Sequence, residues 1–203
     1  NWRTSPRPRP RPSMMSAVRH FLIAVQFFTR IPITGRLAQW VGFSPAMLQA
    51  SAAHFPAIGY LVGAITVACF YCFNWALGNQ AQSTWIAAIF STILSVMVTG
   101  AFHEDGLADT ADALGGSYNK EKALIIMKDS RIGSFGAIAL VLAVLAKLAL
   151  LALIAQHAFI LVAAAIMGSH ILSRYWPLFI IRLLPHVGDD AGSKSKPLAS
   201  QIS

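Results

Sequence analysis

Charge is what this sequence has least of. Only 12% of its 203 residues are Asp, Glu, Lys or Arg, against 56% hydrophobic, whereas soluble domains usually carry about 25% charged residues. The shortage is uneven. Several stretches long enough to cross a bilayer are almost free of charge, which excludes an ordinary soluble domain and indicates an integral membrane protein. Cysteine is nearly absent as well. Cys69 and Cys72 lie in an apolar run without thioredoxin-like surroundings, so they read as buried small hydrophobes, and neither a disulfide framework nor a redox or zinc site is expected. A secretory signal is not expected either, since Arg19, His20 and Gln26 interrupt the first apolar region and no small-residue cleavage site follows. The net charge of +8 does not point to nucleic acid, because Arg3, Arg7, Arg9 and Arg11 supply half of it from one tail. The remaining cations flank apolar segments, where they orient helices against anionic lipid.

Residues 1–15 read as a disordered Arg/Pro-rich tail, with Met14 and Met15 the natural initiation sites and the stretch before them an expression scar or an over-extended start. Residues 16–185 form the membrane-embedded domain, and 186–203 a polar tail. Residues 16–31 have helical apolar spacing but are too short and polar to span, which fits an amphipathic helix in the interface ending at Ile31-Pro32. Gly42 to Pro45 is a turn, and Ser44-Pro45 starts a short helix. Spanning helices are expected over about Ala52–Leu77, Thr84–Phe102, Phe135–Ile154 and Phe159–Leu184. Gly59 and Gly63, four apart in the first, permit close packing against another helix. A short amphipathic segment runs from Lys120 to Lys128. The fold class is therefore all-α: a polytopic membrane helix bundle with an N-terminal interfacial amphipathic helix and an acidic helix on the cytoplasmic side. That side follows from the cations, since the Gly78–Ser83 and Gln156-His157 connections carry no Lys or Arg.

Acidic residues are the rarest charge, and they are concentrated. Six of the eight fall between Glu104 and Asp129, directly after the second span. On a helix, Asp105, Asp109 and Asp112 point within roughly 60° of one another. Carboxylates crowded on one face repel unless a cation lies between them. A hard oxygen-seeking ion such as Mg²⁺, bridging to a phosphate, suits such a face. Glu104, about 100° off that stripe, is a further ligand or a supporting partner, and His103 an interfacial histidine or an acid/base group. The segment Lys128-Asp129-Ser130-Arg131-Ile132-Gly133 is the second signal. Arg131 can fork onto phosphate oxygens, while the small residues let backbone amides approach an anion. Lys147 inside a span carries no assigned role, and His170 and Arg174, one turn apart, are placed at the cytoplasmic half of the last span. Phe27-Phe28-Thr29-Arg30-Ile31-Pro32 reads on physical grounds as a membrane anchor.

Together, Phe27-Phe28-Thr29-Arg30-Ile31-Pro32, Phe55-Pro56-x-x-Gly59, His103-Glu104-Asp105-Gly106-Leu107-Ala108-Asp109-x-x-Asp112 and Met127-Lys128-Asp129-Ser130-Arg131-x-Gly133 resemble the bacterial adenosylcobinamide-GDP ribazoletransferases, or cobalamin-5′-phosphate synthases. The resemblance runs in order from about Val18 to Pro185. It implies a multi-pass enzyme of the bacterial inner membrane with a cytoplasmic active face, which performs the last step of cobalamin nucleotide-loop assembly. Adenosylcobinamide-GDP and α-ribazole, or its 5′-phosphate, are joined and GMP is released with Mg²⁺. Carried onto this chain, the metal ligands are Asp105, Asp109, Asp112 and Glu104, and the catalytic set adds His103 and Arg131. Lys128, Asp129, Ser130 and Arg131, with Arg30 and Arg174, would bind substrate, and the ribazole 5′-hydroxyl would attack the cobinamide-linked phosphorus. Expected partners are these substrates and the lipid bilayer, with no nucleic acid, and a homo-oligomer or a complex with other cobalamin-assembly enzymes. Members of that family usually continue through further apolar spans, so the chain is expected to be truncated relative to them. Two alternatives stand beside this reading. A CDP-alcohol phosphotransferase also opens its metal motif with D-G, although the Arg expected soon after is missing here. A non-catalytic membrane cation-binding or transport protein would share the acidic stripe, but its site would lie nearer the membrane midplane.

Overall fold

The computed structural model describes residues 13–184; the expectations for the Arg/Pro tail before Ser13 and the polar tail after Leu184 lie outside the described residues. Among the described residues there are nine α-helices, one 3₁₀ turn and no strand. The helices are α1 (Met14–Phe28), α2 (Gly35–Val41), α3 (Pro45–Ser51), α4 (Phe55–Ala76), α5 (Ala81–Thr99), α6 (Phe102–Gly116), α7 (Lys120–Ile126), α8 (Ser134–Ala155) and α9 (Phe159–Leu183), with the 3₁₀ turn Ala52–His54 joining α3 to α4.

Local sequence explains most of the boundaries. Ser13 caps α1 by accepting from the Ser16 amide, and Ser44 caps α3 from Met47 with Pro45 in the first turn. Gln80 and Ser83 cap α5 reciprocally. Helix α1 stops at Phe28, three residues before the expected Ile31, because Thr29 is extended and its hydroxyl and amide both bond to the Val25 carbonyl. The Arg30 amide then bonds to the Val98 carbonyl at 2.7 Å, which fastens this segment to the C-terminal end of α5. Helix α2 was not expected, since its seven residues are too few to show a periodic pattern.

Helices α4, α5, α8 and α9 are long and apolar enough to cross a membrane. At 22 residues each, α4 and α8 extend about 33 Å, which matches a hydrocarbon core of about 30 Å. Ile138, Val141, Leu142 and Leu145 of α8 all stand more than half exposed. An outer face so apolar belongs against lipid. Helix α4 packs against both α5 and α9, α8 closes against α5 and α9, and α6 lies along α8. The α4–α9 approach depends on Gly59 and Gly63: a Cβ at Gly59 would meet the backbone of His170 and Ile171, and one at Gly63 would meet Met167. Two apolar clusters fill the bundle. The first joins Ile23, Val25 and Phe28 of α1 to Leu48, Phe55 and Ile58, and the second joins Phe70, Ala87, Leu151 and Ile166 at the other end. The apolar face of α1 thus packs on the bundle. Cys72 is exposed and Cys69 partly so, which corrects their expected burial: they occupy the outward side of a spanning helix.

The turn that positions the acidic helix is unusual. Gly100 (φ 65°) and the non-glycine Ala101 (φ 59°) are both left-handed, and the Asp105 amide bonds to the Ala101 carbonyl at 2.8 Å. Two consecutive left-handed residues reverse the chain sharply, so α6 starts directly at the end of α5 and runs beside α8.

Candidate functional site

The acidic helix does two jobs with its carboxylates. Asp112 faces α8 and is buried: its Oδ2 accepts from the Gly133 amide at 2.7 Å and its Oδ1 from the Gly136 amide at 2.8 Å. These are N-terminal donors of α8, which lack partners within their own helix and sit at the positive end of its dipole. Glycine is required at both positions because a Cβ on either would run into the Asp112 carboxylate, and at Gly136 also into the Ala108 carbonyl oxygen. The small residues expected to bring amides to an external anion therefore bring two of them to the protein's own Asp112. Each Asp112 oxygen retains a second lone pair.

Asp105 and Asp109 line a pocket of about 170 Å³ together with Glu104, Ser130 and Arg131. Burial, and then the Asp105 and Asp112 carboxylates, push the Asp109 carboxyl above its usual range. Among the described residues no group of three His, Cys, Asp or Glu side chains converges as a ready-made metal centre. The donor set nonetheless suits a hard cation. All of its members are carboxylates, Asp109 feels the repulsion of two others, and Glu104 Oε2 is buried without a hydrogen-bond partner among the described residues.

Arg131 borders both this pocket and a surface groove of about 490 Å³ lined by Asp112, Asp129, Gly133 and Phe135. Its guanidinium is held by Asp129, with Nε donating to Oδ1 at 3.0 Å and Nη2 to Oδ2 at 2.6 Å. The hydrogen bonds from Arg131 hold the Asp129 carboxyl down at about 2, and Asp129 raises Arg131 in turn. Arg131 is 87% exposed, so the pair exchanges with solvent and with other anions at little cost. Lys128 is exposed at the α7–α8 connection. Arg30 lies at the α5–α6 turn, its side chain packed over Gly100.

Inside the bundle the sequence motifs meet in a way their spacing did not reveal. The Phe27 and Phe28 rings pack against Phe55 and Phe102 at centroid distances of 4.7 to 5.8 Å. Phe28 also stacks on the His103 ring, and the Arg174 guanidinium carbon lies 5.2 Å from the Phe28 centroid. Of the segment that read as a membrane anchor, Phe28 and Thr29 are buried and Phe28 walls the site, whereas Arg30, Ile31 and Pro32 are exposed. Arg174 is fully buried. Its Nη1 donates to the His170 carbonyl oxygen at 2.9 Å and to Ser173 Oγ at 3.1 Å, whereas Nε and Nη2 have no hydrogen-bond partner among the described residues. Burial, and then Arg174, push the His103 imidazole below its usual value, partly opposed by Glu104. His170 Nε2 lies 3.4 Å from the hydroxyls of Thr66 and Ser95, tying α9 to α4 and α5. Lys147, left without a role by sequence, lines a cavity of about 510 Å³ with Glu104, His103 and His170. A cation in mid-span is expensive without a reason, and that cost is the signal that could have found it.

The family profile described as cobalamin-5-phosphate synthase matches residues 20–203. The adenosylcobinamide-GDP ribazoletransferase of Albidiferax ferrireducens is 60% identical over 190 residues, which cover 94% of this chain and 68% of that protein. The protein of the same name from Polaromonas naphthalenivorans is 56% identical over 202 residues, covering 94% of this chain and 73% of its own length. A third, from Shewanella piezotolerans, is 45% identical over 187 residues, 90% of this chain and 67% of that protein. No solved structure matches.

Proposed function

The chain belongs to the cobalamin-5-phosphate synthase family, and on that premise we propose that it transfers the adenosylcobinamide phosphate moiety of adenosylcobinamide-GDP to α-ribazole or its 5′-phosphate, releasing GMP. The observation that carries the reading is the single pocket in which Glu104, Asp105 and Asp109 face Arg131, within a chain matched over residues 20–203. Carboxylates that would hold a cation, opposite a guanidinium, suit a diphosphate ester, an anion that needs countercharge on two sides. The same family membership sets the CDP-alcohol phosphotransferase and transport readings aside.

We infer a different nucleophile from the one expected from the sequence, because the family is described by a 5-phosphate product. A product that carries a 5-phosphate needs that oxygen already esterified, so the 5′-hydroxyl is not the general nucleophile. A secondary ribose hydroxyl attacks the cobinamide-linked phosphorus instead, forming the new P–O bond as the P–O bond to GMP breaks. His103, kept neutral by burial and Arg174, can accept the hydroxyl proton, with Glu104 beside it as the second candidate base. Arg131 leaves Asp129 for the transferred phosphoryl oxygens, a bidentate partner exchanged for another. Asp129 and Ser130 set the loop from which it reaches, with Lys128 adding positive charge at the mouth. Asp105, Asp109 and Glu104 would hold a divalent ion such as Mg²⁺, which supplies charge neutralisation of the diphosphate when bound. Asp112, which lines the neighbouring groove, would reach that ion only through its remaining lone pairs, and its two amide bonds keep α6 and α8 in register.

We place the enzyme in the inner membrane with α6 and the Asp129–Arg131 loop on the cytoplasmic face, because the α4–α5 and α8–α9 connections carry no Lys or Arg. A homo-oligomer or an assembly with other enzymes of the same synthesis belongs to this proposal as well. The test is product balance. Purified protein in lipid, given adenosylcobinamide-GDP and α-ribazole, is expected to form GMP and cobalamin in equal amounts. GMP without cobalamin would reduce the activity to hydrolysis and reject the transfer.

A further inference from the structure

We propose that the cavity between α4, α5, α8 and α9 receives the base of the acceptor nucleoside, with the ribose end at His103 and Glu104. This rests on the transferase reading above, and adds where the second substrate enters and what selects it.

Size and lining decide between the substrates. The cavity measures about 510 Å³, within the range of about 300–1,000 Å³ usual for small-molecule sites. A corrin ring with its side chains is far too large for it, and a guanosine diphosphate would bring two phosphates into a wall made mostly of apolar carbon. Leu151, Ile154, Ala165 and Ile166 supply that wall. The base of the acceptor is an uncharged apolar bicycle, which matches such a surface, while the ribose, with or without its 5′-phosphate, stays at the His103 and Glu104 end. The few polar groups are placed unevenly. Ser169 and Ser173 donate their hydroxyls to backbone carbonyls of their own helix, as do Thr66 and Thr99, so these side chains present little demand to a ligand. Lys147 is the ammonium on the wall, positioned to donate to the unsubstituted ring nitrogen of the base.

Continuity with the phosphate site is the second argument. Glu104 lines both this cavity and the pocket of Asp105, Asp109 and Arg131, and its buried Oε2 has no hydrogen-bond partner among the described residues. A nucleoside whose base fills the bundle therefore delivers its ribose to the one carboxylate shared with the phosphate pocket. The attacking hydroxyl then lies between the two compartments, which is where a proton acceptor is needed.

The cavity is filled from within by Ala165→Phe. The KM for α-ribazole is expected to rise about 10-fold or more while that for adenosylcobinamide-GDP stays within about 2-fold, since an extra side chain in a pocket discriminates only against the ligand that shares it. Equal rises for both substrates, or none for either, overturn the proposal. A second measurement does not depend on turnover or on that variant folding. In a chain with Cys69 and Cys72 replaced by Ser, Ser169→Cys is labelled with maleimide in lipid vesicles. α-Ribazole alone should slow labelling about 10-fold or more at saturation, and GMP should not. Labelling unaffected by α-ribazole would mean that lipid or another segment occupies the cavity, and the proposal fails even where the wild-type chain releases GMP. Loss of GMP release with protection intact would instead reject the transferase reading and leave the nucleoside site standing.

Discussion

Removing the Asp112 carboxylate should loosen the bundle before it touches the chemistry. Asp112 accepts two amide hydrogen bonds at 2.7 and 2.8 Å, one from buried Gly136 and one from exposed Gly133. Hydrogen bonds to charged groups contribute about 1.5–3 kcal/mol each. Water reaches the exposed Gly133 amide after truncation, so that bond counts for the lower figure, whereas the amide of buried Gly136 is left unpaired. Asp112→Ala is therefore expected to cost about 3 kcal/mol. Gly136→Ala attacks the same contact from the other side, because its Cβ needs the space of the carboxylate, and should cost a similar amount. The double variant should cost clearly less than the sum of the two, since both remove the same carboxylate contact and only the clash with the Ala108 carbonyl belongs to Gly136→Ala alone. The assay is unfolding of the purified protein in mixed micelles by increasing denaturing detergent, followed by far-UV circular dichroism. Additive losses, or an Asp112→Ala midpoint equal to the wild type, would refute the account of Asp112 as the tie between α6 and α8.

Three shorter tests follow from other contacts. Gly100→Ala places a Cβ at φ 65° and against the Arg30 side chain, so it should lose about 1–2 kcal/mol in the same assay; full stability would remove the left-handed turn from the account. The acid limb of kcat/KM should lie below the ordinary imidazole value, because burial and then Arg174 disfavour the protonated form of His103, and activity is lost only as pH falls through that lowered pKa. His103→Gln should lower the rate and erase this limb, and an unchanged limb would transfer the proton to Glu104. For topology, Asn79→Cys in a chain lacking Cys69 and Cys72 should react with an impermeant maleimide from outside intact cells, and Ser117→Cys only after permeabilisation; the reverse pattern would invert the orientation.

The sequence revealed the elements with the longest-range regularity. Four charge-poor stretches became α4, α5, α8 and α9, and Gly59 with Gly63 marked a real close approach. The acidic helix was visible because carboxylates in an apolar chain need a reason, and Asp105 and Asp109 do border one pocket with Glu104 and Arg131. Other features depend on partners far along the chain, which local spacing does not encode. Phe28 looks like any interfacial aromatic until α6 and α9 bring His103 and Arg174 to its ring. Asp112 belongs to the carboxylate stripe by angle, yet its oxygens are committed to Gly133 and Gly136, glycines more than twenty positions later. Lys147 reads as a misplaced charge until the cavity beside Glu104 is present. The left-handed conformation of Ala101 has no sequence signal, since alanine ordinarily favours helix.

The central claim is that Asp105 and Asp109 hold a divalent cation against the diphosphate, and a change of metal preference tests it most directly. GMP release would be measured for the wild type and Asp109→Cys across Mg²⁺ and Cd²⁺ concentrations. Because a thiolate prefers the softer ion, the account predicts a wild type that needs Mg²⁺ and a variant nearly silent with Mg²⁺ but restored by Cd²⁺. Wild-type turnover that persists in excess chelator, or an Asp109→Cys variant as fast as the wild type in Mg²⁺, would contradict it.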